Sequence, residues 1–323
     1  MNIVRTVLGD IDAADLGVTY AHEHLLIDGG RPVELFPDFL LADTDRMAAE
    51  LADAAAVGLR SAVDAMPADC GRNPAKLAEL SRRTGVRIVA ATGLHHERFY
   101  GPSHWSLRAS EDELADLFAA DVTNGIDERD YSGPIVRRTD VRAGIVKIAG
   151  SEGGPSARDV PIFRAAAEAH RVTGVPIHTH TENGTGALEQ IRLLTDAGVR
   201  AERIALSHVD KVVDRSYHRE LLSSGAFAVY DQGFRWGDRE NGTIKLIEWA
   251  LEDGTEGQLM LGMDAARQGY HKSYGGKPGL SYLLSEFSDL LTARGIPAWV
   301  RGSMFVAAPA RAFAFASVGA EVP

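Results

Sequence analysis

"VPIHTHTENGTGALEQIRLLTDAGVRAERIALSHVD", residues 175–210, contains one full repeat of the pattern that organises the chain. Residues 175–181 and 203–210 read as short buried strands. Residues 186–198 between them place apolar side chains at helical spacing and end on Gly198, as helix C-caps do. Strand, helix and strand in that order make a parallel pair with a crossover helix. The same alternation extends in both directions. Strands are predicted at 18–24, 61–66, 87–94, 143–149, 227–234 and 258–265, and further helices at 44–58 and 160–174. Eight strands is the number that closes a (β/α)8 barrel. An open doubly wound sheet is the competing architecture. Against it, no GxGxxG follows the first strand, and polar residues sit at the C-terminal ends of many strands rather than at one switch point.

Composition bounds the function. Hydrophobic residues make up 45% of the 323 and charged residues 24%, the balance of an ordinary water-soluble globular chain. No apolar run approaches the roughly 18 residues of a membrane helix, and "MNIVRTVLGD" lacks the layout of a secretory leader, so a cytoplasmic protein is expected. No linker or low-complexity tract divides the sequence. The expectation is one domain over 1–323, with 1–17 leading into the barrel. A net charge of −11 without a dense lysine and arginine block argues against nucleic acid and anionic membrane as partners. The expected partner is a small molecule, and an anionic one has to be caught by local cations. Cys70 is the only cysteine, which excludes internal disulfides and cysteine-built metal sites.

The chemistry is carried by histidines. His22 and His24 stand two apart on the first strand, where period-2 alternation points both to one face. Lys147, His180, His208 and Asp264 are predicted at the ends of strands 4, 5, 6 and 8, where a barrel gathers its catalytic groups. His178 falls one inward layer below His180 and is read as a support rather than a ligand. Lys147 interrupts the apolar run Ile145-Val146-Lys147-Ile148-Ala149, and an unpartnered ammonium there costs several kcal/mol. A neutral amine, however, adds carbon dioxide to give a carbamate, a carboxylate on a long arm. With that conversion the set can hold two divalent metals. Zinc is the first choice for such nitrogen and oxygen donors, and manganese, cobalt, iron and nickel also suit them.

These motifs resemble the phosphotriesterase-like family of the amidohydrolase superfamily. The likeness runs from "TVLGDIDAADLGVTYAHEHLLID" through "AGIVKIAGSEGG", "HTHTENGTGALEQ" and "IALSHVD" to "LGMDAARQGY". It implies a (β/α)8 barrel in which His22, His24 and Asp264 bind a buried metal and His180 and His208 a more exposed one. Carboxylated Lys147 would bridge the two. Dimers are common among the proteins it resembles. Two metals about 3.5–4 Å apart supply hydroxide at neutral pH, which would attack a carbonyl or phosphoryl centre with Asp264 as proton shuttle. No Gly-x-Ser-x-Gly elbow offers a serine nucleophile instead.

Substrate choice rests on the loops. Arg235 follows strand 7, and Arg267 and Tyr270 follow strand 8; together they offer donors to a phosphate or carboxylate. The Arg-x-x-Tyr spacing at 267 and 270 is similar to that of phosphorylated sugar-lactone hydrolases in the family, which carry a lysine in loop 7 where this chain has Arg235 and Trp236. Surface pairing of the arginines with Asp238 or Glu240 is the opposing reading. His95, after strand 3, is a weaker candidate for substrate contact, where acyl-homoserine lactonases of the family present a tyrosine. The leading expectation is a metal-dependent lactonase acting on a sugar-acid lactone, phosphorylated or not. An organophosphate triesterase, an acyl-homoserine lactonase and a non-catalytic metal-binding or ligand-binding barrel are the alternatives.

Overall fold

The computed structural model describes residues 2–237 and 240–317. A hairpin comes first, β1 (Ile3–Thr6) against β2 (Gly9–Asp12), paired antiparallel. Eight strands follow: β3 (Thr19–Glu23), β4 (Ser61–Asp64), β5 (Arg87–Gly93), β6 (Ile145–Gly150), β7 (Ile177–Thr181), β8 (Ile204–Ser207), β9 (Phe227–Tyr230) and β10 (Leu259–Leu261). They form one parallel sheet in sequential order. Helices at Thr44–Ala56, Pro74–Thr84, Glu111–Thr123, Asp159–Thr173, Ala187–Asp196, Arg215–Ser223 and Gly242–Asp253 separate successive strands.

The two ends of the sheet meet. Backbone N–H groups of Met263 and Asp264, just past β10, donate to the carbonyl of His22 in β3 at 3.2 and 3.0 Å. A Cβ on Gly262 would stand 2.8 Å from the His22 backbone nitrogen and oxygen, so only glycine permits this approach. The Glu23 carboxylate reinforces the seam by accepting the Met263 N–H at 2.8 Å. The result is the eight-stranded barrel that strand counting predicts.

Alternation along the strands separates two cores. Tyr20, Ile88, Val146, Ile148, Ile177, Leu206 and Leu261 pack outward into the layer beneath the helices. Ala21, Val63, Val89, Ile145, Phe227 and Met260 pack inward with Val4, Leu16 and Phe313. The N-terminal segment is therefore more than a lead-in: its hairpin and the residues after it help plug one end of the barrel. At β3 the register shifts between Tyr20 and Glu23. Ala21 joins the inner core while His22 and His24 also face the axis, which is the use of a local strand irregularity. No helix among the described residues is long and apolar enough to cross a membrane.

Candidate metal centre

The barrel brings the predicted histidines together at the C-terminal ends of the strands. Ring centroids of His22 lie 5.3 Å from His24, 4.9 Å from His208 and 5.1 Å from His178; His180 lies 4.5 Å from His208. His24, His208 and Asp264 stand just beyond their strands rather than on them. His208 and Asp264 adopt left-handed backbone, with φ of 68° and 50°. For non-glycine residues this conformation is strained, and it turns each side chain back over the barrel mouth. Lys147 does not end its strand. It is the third residue of β6, paired with His178, and its long arm rises from the inner face. The strand continues to Gly150 because Ala149 and Gly150 keep pairing with His180 and Thr181.

His22, His180 and His208 each commit one ring nitrogen to a carboxylate and leave the other on offer. Asp231 accepts from Nδ1 of His22 at 2.9 Å and from Nδ1 of His208 at 3.0 Å. The Nε2 atom of His22 is then buried without a partner. His24 sets Nδ1 against the Met66 sulfur and Nε2 3.2 Å from Asp264 Oδ1. His180 gives Nε2 to Glu182 at 2.8 Å, which leaves Nδ1. Ligating atoms of His22, His24 and Asp264 lie within 4.8 Å of one another, as do those of His22, His208 and Asp231. Among the described residues these are two His/Asp clusters of the kind that binds divalent metal, and His22 belongs to both. No spacing in the sequence marks Asp231, Glu182 or Ser207 as site residues. Asp231 ends "FAVYD", and its position at a strand end was the one signal available.

Burial sets the charges. It presses the imidazoles of His22 and His178 well below their usual range, with the Lys147 ammonium adding to the effect, and takes His180 down to about 3. These are neutral rings, the form that binds metal. Burial alone would raise Asp264 and Asp231, yet His208 beside both holds them well below the carboxylate range, with Arg235 assisting at Asp264 and His22 at Asp231. Lys147 is 1% exposed and donates to Ser207 Oγ at 2.9 Å. Desolvation brings its ammonium down to about 7, so near neutrality a large fraction is free amine. His178 touches His22 above and lies 6.3 Å from Phe313 below, with neither ring nitrogen bonded. This is the inward layer expected for it.

The histidines and Asp264 floor a cavity of about 370 Å³. Its wall carries Phe39, Phe99, His95, Arg98, Lys211 and Tyr270, with Arg235 and Arg267. Arg235 donates to the Asp264 carboxylate at 3.2 Å and lies over the rings of Phe234 and Tyr270. Arg267 pairs with Asp38 at 2.6 Å, so its partner comes from the first βα loop. Of the expected surface partners, Glu240 faces Lys245 and Asp238 lies outside the described residues. His95 packs on Phe99 and His180 with ring centroids 4.6 and 5.1 Å apart, and its Nδ1 accepts the His96 N–H, so it both lines the cavity and braces its loop. Lys211, which no sequence motif marks, lines the cavity without an ion pair among the described residues.

Known proteins share this architecture and sequence. The model of the Phosphotriesterase family matches residues 2–313. A phospho-furanose lactonase of Mycoplasmopsis synoviae (strain 53) is 31% identical over 322 residues, covering 96% of this chain and 91% of the relative. The crystal structure of a lactonase from Listeria monocytogenes superposes with a TM-score of 0.89 at 30% identity, covering 98% of this chain and 100% of that one. The Escherichia coli phosphotriesterase homology protein, solved with phosphate in its active site, superposes at 0.84 with 30% identity, over 93% and 99%. With its barrel, its histidine and aspartate clusters and a family match over nearly its whole length, this chain belongs to the phosphotriesterase family of metal-dependent hydrolases.

Proposed function

We propose that this protein opens the lactone ring of a small sugar acid bearing an anionic group, using two divalent cations. The observation that carries the reading is a cavity with imidazoles and a carboxylate on its floor and Arg98, Lys211, Arg235 and Arg267 around its wall. The donors suit metal: His22 Nε2 is buried and unpartnered, and the rings are held neutral. His22, His24 and Asp264 would hold one cation, with zinc the best match to such donors, and His180 and His208 the other. Lys147 would join them as a carbamate. Its amine nitrogen bonds the carbon of carbon dioxide and loses a proton, which the depressed value near 7 favours. When bound, the cations acidify water and polarise the scissile carbonyl.

The remaining roles fall to side chains. Water adds to the lactone carbonyl carbon, the ring C–O bond breaks, and a hydroxy acid results. Asp264 receives the proton of that water and passes it to the departing oxygen. Arg235, 3.2 Å from Asp264, holds the carboxylate in line. Tyr270, its ring under the Arg235 guanidinium, and His95 line the same cavity and would contact the substrate. An anionic tail meets Lys211 first, because Arg98, Arg235 and Arg267 already face carboxylates. The phospho-furanose lactonase named above and the phosphate in the Escherichia coli structure support this choice of substrate.

The test compares kcat/KM of the zinc- or manganese-loaded protein on one sugar lactone with and without its phosphate, followed by proton release. A preference of about 100-fold, or about 2.7 kcal/mol, is expected for the phosphorylated form. Equal rates would remove the anionic tail from the proposal, and no hydrolysis of either would remove the lactone.

A further inference from the structure

Glu182 is the first residue after β7. It opens a short turn, Glu182–Gly184, in which Asn183 is left-handed with φ of 53° and Gly184 backs closely onto the His208 carbonyl. This turn folds the Glu182 carboxylate onto the ring of His180, two residues earlier, with Oε2 2.8 Å from Nε2. On its other side the carboxylate takes the fork of Arg98, Nη1 to Oε1 at 3.1 Å and Nη2 to Oε2 at 3.4 Å. Arg98 belongs to the loop after β5, so two loops of the barrel mouth converge on one metal-candidate histidine.

The arrangement repeats what Asp231 does for His22 and His208. A histidine that ligates a metal through one nitrogen characteristically gives the other to a carboxylate or carbonyl, which fixes its tautomer and its angle. His180 differs from His22 and His208 in offering Nδ1 rather than Nε2. Its ring is therefore turned end for end relative to theirs, and a carboxylate at Nε2 is what selects that orientation.

We infer that Glu182 is a positioning residue for His180, held by Arg98, and that it governs the affinity of one of the two cations and not the other. The inference rests on the proposed assignment of His180 to the more exposed cation. The test uses the full-length protein, stripped with chelator and titrated with Co²⁺, following stoichiometry by elemental analysis and each equivalent by its d–d absorption. Wild type should take up two equivalents. In Glu182→Ala one equivalent should bind about 10- to 100-fold more weakly, the cost typical of losing such a partner, while the other is unchanged. Glu182→Gln keeps a carbonyl for the Nε2 proton and should stay within about threefold of wild type, with Arg98→Ala between the two. The inference is overturned if Glu182→Ala binds both equivalents normally, if it weakens both alike, or if glutamine is no better than alanine. His180→Ala separates the two levels of the argument. If that variant retains two equivalents, or wild type takes up only one, the two-cation assignment itself fails and carries this inference down with it.

Discussion

Lys147 shows what a single residue states and what it leaves open. An ammonium inside an apolar run calls for a chemical resolution wherever the strand lies, and the structure puts it 1% exposed with its value near 7. The unfolded chain holds that proton up to about 10.5 and the folded, metal-free chain only up to about 7. Between those values the unfolded state binds more protons, so stability climbs with pH across that window, by up to about 1.4 kcal/mol per unit; below pH 7 the penalty stays in full. Denaturant unfolding of chelated, carbon-dioxide-free protein should therefore show wild type gaining on Lys147→Met between pH 7 and pH 9. A constant difference would mean that the amine is not desolvated. His22, His24, His180, His208 and Asp264 were legible for a similar reason, since each is a metal-ligating type at a strand end. Asp231 and Glu182 were not. Asp231 meets His22 across 209 residues of chain, and no local spacing records that pairing.

At the scale of elements, the loop after β10 carries Arg267 and Tyr270, and its shape is set from elsewhere. Glu50, 2% exposed on the helix Thr44–Ala56, accepts the backbone N–H groups of Ser273 at 2.6 Å and Leu280 at 3.1 Å. His271, fully buried in the same loop, donates to the carbonyl of Ala265, next to Asp264. Replacing Glu50 by alanine leaves the buried Leu280 N–H unpaired, at about 1–3 kcal/mol, and the half-buried Ser273 N–H without its partner. In Glu50→Ala the melting temperature should fall, and KM for the anionic lactone should rise about 10-fold while kcat changes less than about threefold, the pattern of lost binding rather than lost chemistry. A fall in kcat alone would place the loop's influence on Asp264 instead. Strands and helices were legible here because burial enforces their periods. Their ends were overestimated, as at 203–210 against Ile204–Ser207, because the site residues leave the strand through turns that no period announces.

For the whole molecule, everything depends on closure. β3 and β10 lie at opposite ends of the sequence, and the seam between them places His22 beside Asp264. Gly262→Ala drives a methyl into the His22 backbone, an overpacking that costs about 1–3 kcal/mol. The variant should melt lower and bind Co²⁺ more weakly; unchanged binding would show that the seam does not hold the metal site in register. The sequence by itself determined the class of fold, the strand order and the identity of the histidines, because eight alternating periods and ligand-type residues at strand ends are local facts. Which nitrogen each ring offers, that Asp231 and Glu182 aim those rings, and that Arg235 and Arg267 already face carboxylates were decided only by the tertiary structure. Those are properties of side chains that meet across the barrel, and closing it is what brings them within hydrogen-bonding distance.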